Sequence, residues 1–576
     1  MGRVRSLQIA GYRSVREDIL VLFPENTPIV LVGENNSGKS NIVRALDLVL
    51  GESWPGSHNP DDHEYFGRDK AKGSIEIVAE LTGVNHTDRQ GTDRVEKLNW
   101  KCRANGPARF SMTLWQRGES SFVSNDTRGQ CTCIYIAADR RLDYQLSYAS
   151  KFTFLSKLMR KFHDRLMADT ARANDLRQKF SETKAIFLGV PEFAEFTSEL
   201  QAQISELSGN LQYGLEVDFS AYDPSNFFHA LRVHASEGGE VRTIEELGSG
   251  QEQILALSFI QAYAKAFHDA EGLVLVIDEP EANLHPLAQD WLARKIRDLA
   301  ASGVQVVVTT HSPAFLDVAA IPGLVLVRKN DGCTETVQMT AAELAQYCRE
   351  HGAARATADN ILGFYAAAAT EEILGGFFAR TIVLVEGPTE AAALPVYLER
   401  VGCIVAKEGI AVIAVHGVGN LAKWWRLFSA YGIPTYVVFD NDAKDDRAGA
   451  KRSDLLATLG VPEDRHAGYM TTADWVIEDR FCVFGGDFET AMRGDFGPEY
   501  EALEEEARMT YGFGQDSKPL LVRHVAGRLP VEAYPAACDK LRQMAHAIRA
   551  LGSAAGWTAS TTMAGAETGG PRFDES

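Results

Sequence analysis

A glycine-rich turn near the start of the chain has the residue types that hold phosphate groups. Residues Gly33 to Ser40 read Gly-Glu-Asn-Asn-Ser-Gly-Lys-Ser and lie between an apolar run, Thr27 to Val32, and a helix-like run, Asn41 to Leu50. In this pattern the glycines let backbone N–H groups surround the phosphates, the lysine reaches the outer phosphate oxygens, and the final hydroxyl binds Mg²⁺. The predicted nucleotide ligands here are Gly33, Asn35, Asn36, Ser37, Gly38, Lys39, Ser40 and Asn41.

Two further segments carry side chains that suit nucleotide hydrolysis. Residues Leu273 to Ile277 form a continuous apolar run, typical of a strand buried in a parallel sheet, and Asp278 and Glu279 follow it directly. Ligands bind at the carboxyl ends of such strands, so we expect Asp278 to order the water shell of Mg²⁺ and Glu279 to polarise the attacking water. Another predicted strand, Val304 to Thr309, leads to His311, which we expect near the γ-phosphate.

A second group of carboxylates follows strands in the last third of the chain. Glu386 and Glu390 follow one apolar run, and Asp440 and Asp442 follow another. Clustered carboxylates repel one another unless a cation neutralises them, and hard oxygen ligands select Mg²⁺ or Mn²⁺. These four residues therefore predict a divalent-metal site at one edge of a parallel sheet, with a solvated charge cluster as the alternative.

Additional carboxylates lie further along the same region. Asp487 and Glu489 come after a strand-like run, Arg480 to Phe484, and we expect them to hold a second metal ion. In a two-metal site the ions activate the nucleophilic water and stabilise the leaving oxygen. The same region therefore contains carboxylates for a second metal ion.

The elements that must position these residues form two α/β units with helices between them. Alternating strands at Val4 to Ala10 and Ile19 to Phe23 lead into the glycine-rich turn. Apolar positions at steps of three and four over Phe152 to Leu211 indicate an inserted helical arm, interpreted as a dimerisation or substrate-guiding insertion, with an ordinary core helix pair as the alternative. The stretch Ala341 to Phe378 is alanine-rich and reads as a helical connector. The predicted divisions are 1–150 and 213–370 for the first unit and its connector, 151–212 for the arm, 375–530 for the second unit, 531–552 for C-terminal helices and 553–576 for a disordered tail.

Composition limits the classes of function. The 576 residues are enough for several buried cores, and 78 acidic against 58 basic residues give a net charge of −20, which argues against a protein coated in nucleic-acid-binding charge. The eight cysteines are sparse and lack zinc-ribbon spacing, so we expect reduced, buried thiols. No apolar run approaches the roughly 18 residues that span a bilayer, and the N-terminus lacks a signal-peptide core, so we expect a soluble, cytoplasmic protein without a membrane partner.

The order of the nucleotide motifs resembles that of ABC-type ATPase heads. A phosphate loop, an insertion, a Gly-Ser-Gly-Gln turn, an Asp-Glu pair and a histidine follow one another, and within this class the chain looks like the RecF/SMC-like branch. The resemblance implies that two ATP molecules bind between two protomers, hence a homodimer or higher oligomer. It also implies that Arg13 lies close to the nucleotide and that Ser249, Gly250 and Gln251 face the other protomer's phosphate loop. Gly248 stands where the signature serine is expected, which argues against fast hydrolysis.

The second acidic group resembles the Toprim domain of topoisomerases, primases and nucleases, in which a Glu-Gly strand end is followed by Asp-x-Asp; here these are Glu386-Gly387 and Asp440-Asn441-Asp442. An ABC-type ATPase with a helical insertion and a C-terminal Toprim domain is similar to the OLD (overcoming lysogenisation defect) family, which includes the nuclease subunit of Gabija-type antiphage systems. The resemblance covers about residues 1–530. It implies an ATP-regulated, Mg²⁺- or Mn²⁺-dependent DNA endonuclease of antiphage defence, in which Lys518 stabilises the transition state. The alternative for Lys518 is an exposed surface lysine.

Other functions stay open on the residues alone. One is an ATP-driven DNA-repair clamp whose acidic cluster binds DNA through metal without cutting, and another is a primase- or topoisomerase-like enzyme. Tyr431 and Tyr436 lie in or beside the predicted Toprim sheet, but the sequence indicates no extra DNA-gripping domain, which argues against a topoisomerase. The sequence leaves a helicase partner undecided.

Overall fold

Mixed α/β sheets make up the computed structural model, which describes residues 2–51, 53–136, 272–282, 284–442, 449–513 and 517–554, with parts of 162–199 and 235–262. The strands, in chain order, are β1 Arg3–Ala10, β2 Ile19–Leu22, β3 Ile29–Val32, β4 Ile75–Asp88, β5 Gly91–Cys102, β6 Arg109–Leu114, β7 Gly118–Ser120, β8 Cys131–Ile136, β9 Ala235–Glu237, β10 Glu240–Arg242, β11 Gly272–Asp278, β12 Gln305–Thr309, β13 Leu324–Asn330, β14 Cys333–Gln338, β15 Thr381–Val385, β16 Ile410–Ala414, β17 Thr435–Asp440, β18 Val476–Ile477 and β19 Phe481–Phe484. The α-helices are α1 Lys39–Leu50, α2 Asn125–Gly129, α3 Thr170–Leu188, α4 Pro286–Ala301, α5 Ala341–Glu350, α6 Ala358–Ala368, α7 Glu371–Leu374, α8 Pro388–Arg400, α9 Val418–Ala430, α10 Ala450–Thr458, α11 Glu463–Met470, α12 Phe488–Tyr511, α13 Lys518–Arg528 and α14 Pro535–Ala554.

The N-terminal unit contains two six-stranded sheets. The first is antiparallel in the order β2-β1-β4-β5-β6-β7. The second has the order β14-β13-β3-β12-β11-β8, in which every strand except the edge strand β14 runs parallel to its neighbours. The carboxyl ends of β3, β12 and β11 therefore lie side by side, and the three nucleotide motifs follow these strands.

Local sequence explains the turn from β3 into α1. The four residues of β3 are aliphatic and buried, as expected for an inner strand of a parallel sheet. Gly38 precedes α1 with φ 113°, a backbone conformation that favours glycine. The apolar side of α1 then packs against the sheets through the buried residues Ile42, Val43, Ala45, Leu46, Val49 and Leu50.

The C-terminal unit has one five-stranded sheet in the order β16-β15-β17-β19-β18. The first four of these strands are parallel, and β18 pairs antiparallel at the edge. All five residues of β15 are buried. Since β15 and β17 are neighbours, their carboxyl ends place the residues that follow them at one edge of the sheet.

The predicted strands and the helical connector are present with small shifts at their ends. Seven strands were not predicted: β7, β9, β10, β13, β14, β18 and, at 12 residues the longest of them, β5. Charged residues interrupt its apolar positions, and a register shift between Val95 and Lys97 breaks the alternation that identifies a half-buried strand. The sequence pattern of Ser74 to Leu81 also predicts a strand, and β4 extends beyond it to Asp88. Of the predicted helical arm, the structure describes α3 and residues near it.

A shared hydrophobic core joins the two α/β units. One cluster of buried residues contains Leu326 of β13 as well as Ile382 of β15 and Phe428 of α9. Phe377, between the units, packs its ring 5.3 Å from that of Phe428 and 5.2 Å from that of Tyr431. The two units therefore pack against each other through a common interior, and a linker is not their only connection.

Burial and helix length bear on two of the sequence predictions. All eight cysteines are unpaired, and seven are buried. Tyr431 and Tyr436 are both fully buried, so neither presents a hydroxyl to DNA as a topoisomerase nucleophile must. In the part of the chain that the structure describes, no single helix has the length and apolarity to cross a membrane; the bent pair of α6 with Glu371–Phe378 meets the criteria only jointly, across a 113° bend.

Candidate nucleotide site and candidate metal centre

The side chain of Lys39 lies folded over the phosphate loop. Its Nζ donates hydrogen bonds to the carbonyl oxygens of Gly33 and Glu34, both at 2.9 Å. Burial lowers the pKa of Lys39 to about 8, against the opposing effect of the carboxylates of Glu279 and Asp278. The strand ends thus bring the lysine of the loop together with the two carboxylates that the sequence assigns to Mg²⁺ and the attacking water.

Close packing makes glycine necessary at both ends of the loop. Gly33 has φ 147°, and a Cβ there would lie 2.0 Å from the carbonyl oxygen of Val327. Gly38 has φ 113°, and a Cβ there would lie 2.1 Å from Thr334 Oγ1. The same hydroxyl donates to the carbonyl oxygen of Ser37 at 2.8 Å, so the β14 strand clamps the loop.

The remaining predicted loop ligands fit a nucleotide. Asn35, Asn36 and Ser40 are exposed on the open side of the loop. The Ser37 hydroxyl is buried and has no hydrogen-bond partner among the described residues, as expected of a group whose partner is a bound ligand. A loop of this kind presents backbone N–H groups and a lysine, which match phosphate oxygens. The predicted signature residues Ser249, Gly250 and Gln251 lie outside the described residues.

The residue after Arg13, Ser14, connects this part of the chain to the nucleotide site. The Ser14 hydroxyl accepts a hydrogen bond from Asn41 Nδ2 at 2.7 Å, which ties the end of the first sheet to the first turn of α1. Arg13 itself has φ 53°, and its Nη2 lies 3.7 Å from Glu64 Oε1. Glu64 also accepts a hydrogen bond from the Tyr12 hydroxyl at 3.3 Å. The guanidinium is therefore held by Glu64, a residue that sequence reasoning did not single out.

Two further residues missed by sequence reasoning hold Asp278. The Tyr135 hydroxyl donates to Asp278 Oδ2 at 2.8 Å, and the Thr309 hydroxyl donates to Oδ1. Because β11 lies between β8 and β12, Asp278 is in register with Thr309, and Tyr135 projects from the neighbouring strand. Burial raises the pKa of Tyr135, so the phenol remains a hydrogen-bond donor. The sequence feature that could have identified Tyr135 and Thr309 is their position near the ends of the predicted strands.

The two glutamates after Asp278 have different surroundings. Glu279 has φ 46°, and its side chain is 44% exposed, with Oε1 4.0 Å from His311 Nε2. Glu281 accepts the backbone N–H of His311 at 2.5 Å, and burial raises its pKa. Burial also lowers the pKa of His311, and the charge of Lys39 lowers it further. Glu281 therefore positions the histidine, whereas Glu279 is open to a water molecule.

The acidic cluster begins where β15 and β17 end. Val385 is in register with Val438, and the backbone N–H of Asp440 donates to Glu386 Oε1 at 3.0 Å. Asp440 Oδ1 is buried and lacks a hydrogen-bond partner within the described ranges. Burial, followed by the negative charges of Glu390 and Glu386, raises the pKa of Asp440 to about 9.

Glu390 joins the cluster from the first turn of α8. Its Oε2 accepts the backbone N–H of Gly387 at 3.1 Å, which satisfies a free donor at the start of the helix. Burial raises the pKa values of Glu386 and Glu390 to about 7 each. The nearby charge of Asp442 adds to the shift of Glu386, and those of Glu489 and Asp487 add to the shift of Glu390. All six predicted carboxylates therefore lie within one electrostatic field.

Asp487, Glu489 and Lys518 take distinct places around this cluster. Asp487 Oδ1 accepts the Thr490 backbone N–H at 2.7 Å, so this oxygen is the N-cap of α12. Glu489 is buried, and its Oε1 lies 3.5 Å from Lys518 Nζ. The ion pair brings Lys518 to the acidic cluster, although its side chain is 55% exposed.

The donor set fits a hard divalent cation. Among the described residues, no three Asp, Glu, His or Cys side chains are close enough to form a finished metal cage. The donors are nevertheless all carboxylate oxygens, mutually repelling and largely buried, and one of them, on Asp440, has no hydrogen-bond partner in the part of the chain that the structure describes. Mg²⁺ and Mn²⁺ prefer such oxygen ligands and would offset the repulsion.

Arg452 is a buried residue of this centre that sequence reasoning missed. Its Nη1 donates to the carbonyl oxygen of Asn441, which lies between Asp440 and Asp442. Its positive charge also lowers the pKa of Glu386 against the effect of burial. Arg452 follows the motif by ten residues, so nothing in the Asp-x-Asp pattern identified it.

Models of two known families match the regions of this chain that contain the nucleotide site and the acidic cluster. A model described as "AAA ATPase domain" matches residues 3–102 and 111–316, more than half of the chain. The chain belongs to this AAA ATPase domain family. A second model, "Overcoming lysogenization defect protein-like, TOPRIM domain", matches residues 377–442, which include Glu386, Glu390, Asp440 and Asp442.

Named relatives are similar to this chain over most of its length. OLD nuclease of Thermus scotoductus is 27% identical over 476 residues, which are 77% of this chain and 83% of the relative. Old nuclease of Escherichia phage P2 is 21% identical over 79% of this chain and 80% of its own. Endonuclease GajA of Bacillus cereus is 21% identical over 76% and 77%. A solved SMC head bound to the C-winged helix domain of ScpA aligns with 58% of this chain and 97% of its own at 18% identity and a TM-score of 0.35.

The predicted fold class is confirmed. An ATPase of the AAA family is followed by an OLD-like Toprim domain, and the two family matches with the OLD nuclease relatives support a hydrolase with ATPase and endonuclease domains. Use of a nucleotide and of divalent metal follows in general terms from the two domains.

The different surroundings of Glu279 and Glu281 yield a prediction. We expect Glu279→Gln to bind ATP but to turn it over at least about 100-fold more slowly, because general-base catalysis contributes that much. Phosphate release and nucleotide affinity measure the two effects separately. Glu281→Gln is the matched control and should keep most of the rate, while Lys39→Ala should bind ATP weakly. Hydrolysis by Glu279→Gln at the unmodified rate would instead make Glu281 the base.

Proposed function

We propose that this protein is an ATP-regulated, divalent-metal-dependent DNA endonuclease. The observation that carries the proposal is the buried carboxylate cluster at the ends of β15 and β17. In it, one oxygen of Asp440 has no hydrogen-bond partner among the described residues, and Lys518 pairs with Glu489 at the margin. A buried group of like charges is unfavourable unless a cation occupies it. Mg²⁺ or Mn²⁺ is the cation that this donor set favours.

The residues of the centre have separable roles in this proposal. Glu386, Glu390, Asp440 and Asp442 hold one metal ion, and Glu489 together with Asp487 holds another. When bound, the ions lower the pKa of a water molecule and stabilise the leaving oxygen. Lys518 supplies a positive charge to the negative charge that develops on the phosphate. Arg452 holds the backbone between the two aspartates in place.

The names of the relatives support the class of substrate and the setting. Two are called OLD nucleases, and one is called endonuclease GajA. We extend this to DNA as the substrate, to antiphage defence in the cytoplasm and to a homodimer or higher homo-oligomer built around two ATP molecules. A DNA clamp that holds metal without cutting is the alternative, and the loss of nicking described below distinguishes the two.

An interaction between the two units supports regulation by ATP. Glu34, the second residue of the phosphate loop, forms two hydrogen bonds with Arg380, at 2.6 Å to Nε and 3.2 Å to Nη2. Arg380 directly precedes β15, and Glu386 directly follows that strand. The nucleotide loop and a proposed metal ligand are therefore connected through a single buried strand.

Arg328 of β13 reinforces this connection. Its guanidinium donates to the carbonyl oxygen of Ala379 at 3.2 Å and to that of Gly432 at 3.1 Å. These carbonyls precede β15 and β17, the two strands whose far ends hold Glu386 and Asp440. Movement of the phosphate loop would thus be transmitted to the amino ends of both metal-bearing strands.

Removal of one carboxylate tests the metal centre. We predict that Asp440→Asn, and likewise Asp442→Asn, lowers nicking of supercoiled plasmid in Mg²⁺ or Mn²⁺ by about 100-fold or more, since water activation is lost with the metal. ATP hydrolysis should persist. Asp539→Asn, an exposed change on α14 of the same unit, should cut normally. Undiminished cutting by Asp440→Asn would contradict the assignment, and absence of cutting by the unmodified protein would favour the clamp.

Reversal of one charge tests the coupling. ATP typically changes a coupled activity by about 5- to 150-fold, and we expect Arg380→Glu to lose most of this response while its metal-dependent cutting without ATP persists. The double variant Glu34→Arg with Arg380→Glu should regain the response, because the ion pair re-forms with reversed signs. Nicking rates with and without ATP give the measurement, with ATP affinity measured in parallel.

Two controls accompany the charge reversal. Arg542→Glu removes an exposed ion pair of α14 and should leave the ATP response intact. Lys39→Ala should cut DNA but ignore ATP. If Lys39→Ala is as inactive as Asp440→Asn, ATP binding is part of the cutting cycle itself; if Arg380→Glu keeps its full ATP response, the signal takes another route.

A further inference from the structure

The helix α12 folds back on itself beside the acidic cluster. Gly497 interrupts it with φ 58° and ψ −142°, and Pro498 follows. Arg493 and Glu504 form two hydrogen bonds across this break, at 2.7 and 3.1 Å. In a straight helix, eleven residues would separate them by about 16 Å, beyond the reach of both side chains. The two halves therefore form a helical hairpin.

This hairpin returns the chain to the metal centre. Tyr500, in the second half, lies in the electrostatic field of Glu489, in the first half, and of the N-cap residue Asp487. Helix α13 packs against both α12 and α8, and it begins with Lys518, the partner of Glu489. The C-terminal end of α12 and the first turns of α13 thus form one wall of the nuclease centre.

That wall carries exposed apolar side chains. Met509 is 79% exposed, Tyr511 51% and Leu520 55%. The Tyr511 ring lies 5.3 Å from that of Phe513 with an interplanar angle of 26°, and 5.3 Å from that of His524 on α13. We refer to Met509, Tyr511, Phe513 and Leu520 as the aromatic surface.

Positive charge lies next to the aromatic surface. Lys518 and Arg523 on α13 and Arg508 on α12 are exposed, in a chain whose net charge is −20. Lys518 forms an ion pair with Glu489, and Arg508 lies within 4.0 Å of Glu504 and Glu505. His524, in contact with Tyr511, is six residues from Lys518 along α13, or about 9 Å. At the axial rise of about 3.4 Å per nucleotide in a stacked strand this is about three nucleotides, and it is fewer in an unstacked, more extended strand. A phosphate at Lys518 would therefore leave nearby bases within reach of Tyr511.

We propose that the aromatic surface binds unstacked bases of the DNA strand beside the scissile phosphate, so that the nuclease prefers single-stranded or locally unpaired DNA. The inference rests on the proposed endonuclease function. An intact duplex presents phosphates and base edges, whereas an unpaired base presents a flat apolar face that stacks on aromatic rings. Cations beside exposed rings are the combination that single-strand binding uses.

The test compares three substrates of one sequence: a single strand, a perfect duplex and a duplex with a three-nucleotide bulge, each cut in Mn²⁺. The unmodified protein should have a lower KM for the single strand and the bulge. Stacking on one aromatic ring changes affinity by roughly 5- to 150-fold, so Tyr511→Ala should raise the KM for these two substrates by about that factor. The kcat and the cutting of the perfect duplex should stay within about twofold.

Control variants exclude a structural cause. Tyr511→Phe keeps the ring and should behave like the unmodified protein. Trp115→Ala removes a ring that is 61% exposed on the first sheet, and it should have no effect on the KM values. Equal effects of Tyr511→Ala on all three substrates, or no effect, would overturn the inference. A change in oligomeric mass for Tyr511→Ala would also overturn it, since the surface would then be a subunit interface.

Binding gives a readout that does not depend on cutting. Fluorescence anisotropy of a labelled single strand should show that Tyr511→Ala weakens binding by the same factor as it raises the KM. Trp115→Ala should leave binding unchanged. If the unmodified protein binds the strand in this way but never cuts it, the proposed nuclease function fails and the surface assignment stands. If it cuts every substrate but Tyr511→Ala binds normally, the surface assignment fails alone.

Discussion

Mutual repulsion among buried carboxylates is the constraint around which the C-terminal unit is built. The parallel pairing of β15 with β17 places Glu386 and Asp440 in contact through a backbone hydrogen bond, and Glu390 adds a third carboxyl from α8. Burial and these neighbours raise the pKa of Asp440 to about 9. A folded chain retains such a group when a ligand offsets its cost, and a divalent cation is the ligand that carboxylate oxygens fit best. The hydrophobic sheet beneath supplies the stability that the cluster lacks.

The two chemical centres share one mechanical frame. The nucleotide motifs lie at the carboxyl ends of β3, β12 and β11, and the acidic cluster lies at the carboxyl ends of β15 and β17. Between them, Arg328 and Arg380 contact the amino ends of the metal-bearing strands, and a shared core fills the interior. Because packed cores are stiff and transmit strain, we expect a displacement of Glu34 to reach Glu386 through this interior. In the proposed regulation by ATP, this frame would connect the two centres without a nucleotide ligand in the acidic cluster.

Sequence patterns predicted the strands, the glycine-rich loop and the carboxylates because each depends on local order: an aliphatic run followed by a turn fixes both the strand and the residue at its end. The strand β5 was missed where a register shift interrupts the alternation at Val95 and Lys97. Tyr135, Thr309 and Arg452 were missed because their roles arise from strand order and from contacts between distant residues. The double role of Asp487, as N-cap and candidate ligand, needed the start of α12 to be seen.

The central claim is that the carboxylate cluster binds divalent metal, and direct titration of Mn²⁺ into nucleotide-free protein tests it most sharply. Calorimetry or electron paramagnetic resonance should find at least one Mn²⁺ site in the unmodified protein. That site should persist in Lys39→Ala, whose phosphate loop is impaired, and should disappear in Glu386→Gln, with circular dichroism confirming that both variants are folded. Mn²⁺ binding of unchanged affinity and stoichiometry in Glu386→Gln, or no binding in the unmodified protein, would contradict the account.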